Sequence, residues 1–332
     1  MPTWKKTSSL LALAVILTTA TGCGSASKLV PKSDAATTSA ASSATGSEDR
    51  KLQIVTTFYP MYDFAKQIAG DQADVTLLIP SNVEPHDWEP TPQDLIKIQK
   101  ADVFIYNGAG LEGWVDKTLQ SLNLNHLKIV EASKGLPLLE GEFEEEGSSA
   151  HPGEAQLDPH VWLDPVLAEQ QVSTIEKALA EVDPAHAAAY QASGEAYQQR
   201  LQNLDKSYRA VTSTAPRKEF VTSHAAFGYL AKRYGLQQIP ISGLNPEVEP
   251  TTAQVADVVK LAKSHATPVI YFESLVSPKV AERVAQEIGC TTEVLDPLEG
   301  LSDEEQAQHL DYVSVMERNL EALKKSLLVP AK

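Results

Sequence analysis

EFVTSHAAFGYLAKRYGLQQIPI (residues 219–241) runs from a β-branched, aromatic stretch (219–224) through a helix-prone one (225–234) into a second short apolar run (236–241). Gly235 stands between the last two, where helices commonly stop. Two strands joined through a helix read as a βαβ unit, which makes the sheet parallel. His224 falls at the seam between strand and helix, at the end of the sheet where α/β folds bind their ligands.

The same alternation extends in both directions. Downstream come a helix at 251–264, the strand PVIYFES (268–274), a helix at 278–288, the strand TTEVLD (291–296) and a closing helix at 303–327. Upstream lie the strands LQIVTT (52–57), DVTLLIP (74–80), DVFIYN (102–107) and LKIVEA (127–132), with helices at 61–69, 92–100 and 111–122 between them. Thr91 followed by Pro92 is a favoured helix start, a capping residue and then proline at the first helical position. Between the two series lie helical stretches at 164–182 and 185–213, the second long enough to run about 40 Å at 1.5 Å per residue.

The expected class is therefore α/β, with two lobes, each a mostly parallel four-stranded sheet flanked by helices, joined by one long backbone helix. The lobes are assigned to 51–184 and 216–332 and the linking helix to 185–215. An acidic loop at 133–156, containing EGEFEEEGSS, shows no periodicity and reads as a solvated excursion.

The first fifty residues have a different character. Lys5 and Lys6 precede the short apolar run LLALAVIL (10–17), and Ala20-Thr21-Gly22 lead into Cys23, so residues 1–22 have a signal-peptide layout. Small residues directly before a cysteine resemble a bacterial lipobox, which implies cleavage before Cys23 and lipidation (palmitate among the acyl groups) of that residue. Residues 23–50 are rich in Ser, Ala and Thr and read as a flexible tether. The expected location is the extracytoplasmic face of the cell membrane, held by the lipid. The only other cysteine, Cys290, reads as a buried small hydrophobe. A formal net charge of −16 argues against nucleic acid as a partner and tolerates cations.

Of eight histidines, His126, His186, His265 and His309 read as surface residues and His151 falls in the acidic loop. The remaining three stand at or beyond strand ends. EPHDWEP (84–90) and DPHVWLDP (158–165) repeat one pattern around His86 and His160: acidic-Pro-His-x-Trp, then an acidic-Pro pair. Proline restrains the backbone, tryptophan can form an apolar wall, and nearby carboxylates can accept the second imidazole N–H. His86, His160 and His224 thus form a nitrogen-rich candidate metal site, of the kind that suits zinc, copper, nickel or iron better than calcium or magnesium. The fourth place lies between Asp296 and Glu299 in LDPLEGL (295–301), with Asp296 able to brace the loop while Glu299 reaches in. Three histidines and a water would instead make a catalytic zinc centre, although no HExxH signature is present.

EPHDWEPTPQDL, DPHVWLDP, VTSHAAFGYLAKRYGL, ISGLNPEVEPT (241–251), YFES and LDPLEGL, in this order, resemble the metal-binding lipoproteins of bacterial ABC uptake systems, nearest the zinc-uptake type (ZnuA- and AdcA-like, cluster A-I). The resemblance implies a monomeric, non-enzymatic receptor that binds Zn2+ between two lobes and hands it to an ABC permease and its ATPase. It carries His86, His160, His224 and Glu299 over as ligands. Manganese relatives typically place a carboxylate where this chain has His224, so Mn2+ is the less favoured ion. Zinc relatives often carry a histidine-rich loop where this chain has an acidic one, with Glu144 to Glu146 and only His151. An adhesin role, described for some relatives, has no counterpart signal in these motifs.

Overall fold

A computed structural model describes residues 50–141 and 156–330. Cys23, the segments 1–22 and 23–49, His151 and Glu144 to Glu146 lie outside the described residues.

The first sheet consists of β1 (Leu52–Thr56), β2 (Ala73–Leu77), β3 (Val103–Tyr106) and β4 (Lys128–Glu131), interleaved with α1 (Tyr59–Ala69), α2 (Pro92–Lys100) and α3 (Val115–Ser121). All its pairings are parallel, in the order β2-β1-β3-β4. A short antiparallel pair, β5 (Leu139–Glu140) and β6 (Leu157–Asp158), follows. Two long helices come next, α4 (Pro165–Val182) and α5 (Ala187–Thr214). The second sheet holds β7 (Glu219–Thr222), β8 (Gln237–Pro240), β9 (Val269–Phe272) and β10 (Thr291–Val294), with α6 (Gly228–Tyr234), α7 (Thr252–Ser264) and α8 (Lys279–Ile288). It too is parallel, in the order β10-β9-β7-β8. Read from the second strand outward, both sheets have the order 2-1-3-4, so each changes winding direction between its first and third strands, where α/β sheets bind ligands.

Four expectations need correction. Residues 111–114 are not helical: Gly108, Ala109 and Gly110 all adopt positive φ (83°, 54° and 90°), which holds the chain in a turn until Val115. Glu112, a buried residue, fastens that turn by accepting from Asn107 N, Gly108 N and Thr57 Oγ1. The closing helix is two helices, α9 (Asp303–Ala307) and α10 (Tyr312–Leu327). His309 at φ 54° breaks the run, and Asp311 caps the second piece through Ser314 N at 2.8 Å. Cys290 is half-buried, because it sits just past the Gly289 turn that ends α8 and not inside the sheet. His265 is also half-buried, while His126, His186 and His309 are exposed.

The Thr91–Pro92 start is realised as a capping box, with Thr91 and Asp94 each bonded to the other's backbone N–H. Helix α5, 28 residues long, packs against α1, α4, α6 and α10. Tyr197 donates to Asp63 of α1 at 2.7 Å, and Tyr208 donates to the Met316 carbonyl of α10 at 2.8 Å. One apolar core accordingly runs without interruption from Ile54 and Phe64, through Tyr197 and Tyr208, to Phe220 and Tyr271.

A close approach joins the segment after β2 to the one after β10. Leu301 N donates to the Ser81 carbonyl at 2.6 Å, and a Cβ on Gly300 would lie 2.0 Å from that oxygen. Only glycine fits there without displacing backbone. Gly300→Ala is expected to cost about 1–3 kcal/mol through overpacking, measured as a lower denaturant midpoint; an unchanged midpoint would show that the two segments part freely.

Candidate metal centre

Each of the three histidines predicted as ligands is presented by a different device. His86 follows β2 by a loop that proline stiffens: Val83 N donates to Pro80 O, and His86 N donates to Glu84 Oε1 at 3.1 Å. Trp88 packs edge-on against Trp114 (centroids 5.4 Å apart), anchoring the loop to the first lobe instead of walling His86. His160 opens a short 3-10 turn after β6. Its main-chain N and its Nδ1 both meet Asp158 Oδ1, at 2.9 and 2.8 Å. The Trp162 ring lies 5.2 Å from the His160 ring, the wall expected from the sequence, and Trp162 Nε1 donates to Pro297 O at 2.7 Å. His224 stands two residues beyond β7, and its carbonyl accepts from Thr222 Oγ1 and Gln238 Nε2.

The loop after β10 holds the two acids in different ways. Asp296 is turned into the loop, where Oδ1 accepts from Leu298 N at 2.6 Å and Oδ2 from Ser274 Oγ. Asn319 clamps it further, accepting from Asp296 N and donating to Asp296 O. Leu298 takes φ 59°, a costly conformation for a leucine, which the buried network enforces. Glu299 is thereby aimed at the histidines. Its Oε1 lies 3.1 Å from His86 Nε2, 3.1 Å from His160 Nε2 and 3.5 Å from His224 Nε2.

His224 Nε2 and His160 Nε2 are 3.4 Å apart, and donor atoms of all four residues lie within 4.8 Å of one another. A tetrahedral ion with bonds near 2.0–2.1 Å sets its ligand atoms about 3.3 Å apart. The separations of 3.1–3.5 Å are of that size. His160 and His224 are fully buried, Glu299 is nearly so, and the His86 side chain is 9% exposed.

The electrostatics follow from this crowding. Glu299 is buried, yet the surrounding imidazoles, His224 foremost, hold its carboxyl well below the usual range. Burial works against charge on His224 and His160, but their carboxylate neighbours outweigh it and raise both, His224 strongly. Burial wins at His86, which is lowered. Burial, with the nearby Glu299 charge, pushes Glu84 up to about 10, and burial pushes Asp296 up to about 8. Glu273 is a buried residue that the sequence reading left without a role: its Oε1 lies 2.7 Å from His224 Nδ1.

The model of the family described as zinc-uptake complex component A, periplasmic, matches residues 54–326. The chain is 47% identical over 332 residues to the high-affinity zinc uptake system protein ZnuA of Bacillus subtilis (strain 168), covering 98% of this chain and 99% of that protein. Among solved structures it is similar to the metal-dependent lipoprotein YcdH of Bacillus subtilis, with 51% identity, a TM-score of 0.73 and coverage of 84% of this chain and all of that one. It is also similar to Zn(II)-bound AdcA of Streptococcus pneumoniae, with 42% identity, a TM-score of 0.74 and coverage of 85% of this chain and 59% of that longer one.

The raised imidazoles set a pH dependence for the metal-free protein. A histidine whose folded value is raised stabilises the fold fully below its unfolded value of about 6.5, and loses that contribution as pH rises through the folded value. His86, lowered, acts in the opposite direction and at lower pH. Metal-free protein is therefore expected to lose thermal stability as pH rises above neutrality, followed by calorimetric melting; a midpoint rising throughout that range would contradict the charge assignment.

Proposed function

The chain belongs to the family of zinc-uptake complex component A, and from that premise we propose that it is the extracytoplasmic receptor that binds Zn2+ and delivers it to an ABC permease driven by its ATPase. The observation that carries this reading is the convergence of His86, His160, His224 and Glu299, whose donor atoms all lie within 4.8 Å of one another. Three imidazoles and one carboxylate favour zinc over manganese, which prefers oxygen-rich sets. Four protein donors also fill a tetrahedron and leave no position for a reactive water, so the site binds its cargo without hydrolytic chemistry. Within this reading the body is a monomer carried on the lipidated Cys23 at the outer face of the cell membrane, and the two lobes meet at the linking helix.

Titration calorimetry on the soluble body is expected to give one saturable zinc per chain, with manganese weaker; absence of one-to-one zinc binding would remove the proposal. His160→Ala, which deletes a buried donor, is expected to weaken zinc by more than about 100-fold, beyond what loss of a supporting partner costs. Unchanged affinity would take His160 out of the ligand set. Because zinc must displace protons from His160 and His224, apparent affinity is expected to climb with pH and to fall on acidification. The same titration run in buffers of different ionisation heat reads the released protons directly.

A further inference from the structure

Resting on the zinc-receptor reading, we infer that Glu273 is the positioning residue of His224, holding its ring so that Nε2 faces the metal. The register of the second sheet produces the pair. Strands β7 and β9 run parallel with Thr222 opposite Tyr271, so two residues further along each chain His224 comes opposite Glu273 on the same face. These are the first and third strands of their sheet, the place where its winding reverses. Glu273 Oε1 stands 2.7 Å from His224 Nδ1, somewhat off the line of a formed hydrogen bond.

Glu273 is itself buried, and neither of its oxygens has a hydrogen-bonding partner among the described residues. A buried carboxylate with one neighbour is costly to a fold and is not explained by packing. It does not belong to the donor cluster, because it stands on the Nδ1 side while Nε2 meets Glu299 and His160. What remains is the task of a supporting carboxylate: to accept the Nδ1–H, fix the tautomer that leaves Nε2 free, and turn the ring. Asp158 does the same for His160 from within one strand end, at 2.8 Å, whereas Glu273 reaches His224 from the neighbouring strand.

The test compares the parent soluble body with Glu273→Gln and Glu273→Ala. Glutamine keeps an acceptor oxygen without the charge; alanine keeps neither. Zinc affinity is expected to fall about tenfold in the first and towards about 100-fold in the second, the range for loss of such a partner. Loaded with Co2+, the alanine variant is expected to show an altered visible ligand-field spectrum because His224 no longer holds one orientation; the glutamine variant stays closer to the parent. A residue that merely fills space would leave that spectrum unchanged. Metal-free melting temperatures check folding, and if the alanine variant does not fold, the glutamine variant decides. Folded variants that bind zinc within about twofold of the parent and share its cobalt spectrum overturn the inference, the twofold margin lying well below that range. A parent chain that binds no zinc overturns the receptor reading itself.

Discussion

Everything else in the molecule answers to one buried anion, the Glu299 carboxylate held among three imidazole nitrogens at 3.1–3.5 Å. A carboxylate can be taken out of water only where opposite charge or hydrogen-bond donors replace its hydration. Here the replacement comes from residues 75 to 213 positions away in the chain, so three loops must be held still together. The loop 295–300 is held by Asp296, Asn319 and the left-handed Leu298, and is pressed through Gly300 against Ser81. The His160 turn is tied to that same loop by Trp162 Nε1 on Pro297 O. Stiffness around the centre substitutes for the ligand's own organising force.

The two sheets repeat one strand order but use their reversal points differently. In the second sheet that point presents His224 and Glu273 to the centre. In the first it is occupied by Thr57 and Asn107, bound by Glu112, while Asn107 Nδ2 in turn donates to Pro159 O at 2.9 Å. The first lobe's reversal point therefore braces the segment that carries His160 and supplies no donor itself. A shared core along α5 keeps both ends of this construction in register.

Much of this was legible in the sequence because it rests on local rules. Proline beside histidine, repeated at His86 and His160, marks restrained imidazoles, and the strand–helix seam marks His224. Thr91–Pro92 announced its helix for the same reason. Which of Glu299 and Asp296 faces the histidines was open, because it depends on which carboxylate Leu298 N and Ser274 capture. Tertiary demands stayed hidden. The turn at Gly108 to Gly110 displaces a helix start that periodicity alone placed at residue 111. The break at His309 carries no proline or glycine to betray it. Glu273 sits in YFES with nothing local to distinguish it, and its signal is the register between two strands, which only a pairing of 222 with 271 reveals.

The centre is closed, yet not evenly so. Side chains of His160, His224 and Glu299 are at most 1% exposed, while His86 is 9% exposed. His86 also differs in what stands behind its ring: Asp158 and Glu273 lie beside Nδ1 of the other two rings, whereas the loop of His86 is fastened by Glu84 on its main-chain N, by Leu301 on Ser81 and by Trp88 on Trp114. The cluster is therefore most open to solvent on its His86 side. Carboxylates thus stand behind the Nδ1 atoms of two of the rings, and the third ring is the one left at the edge of the cluster.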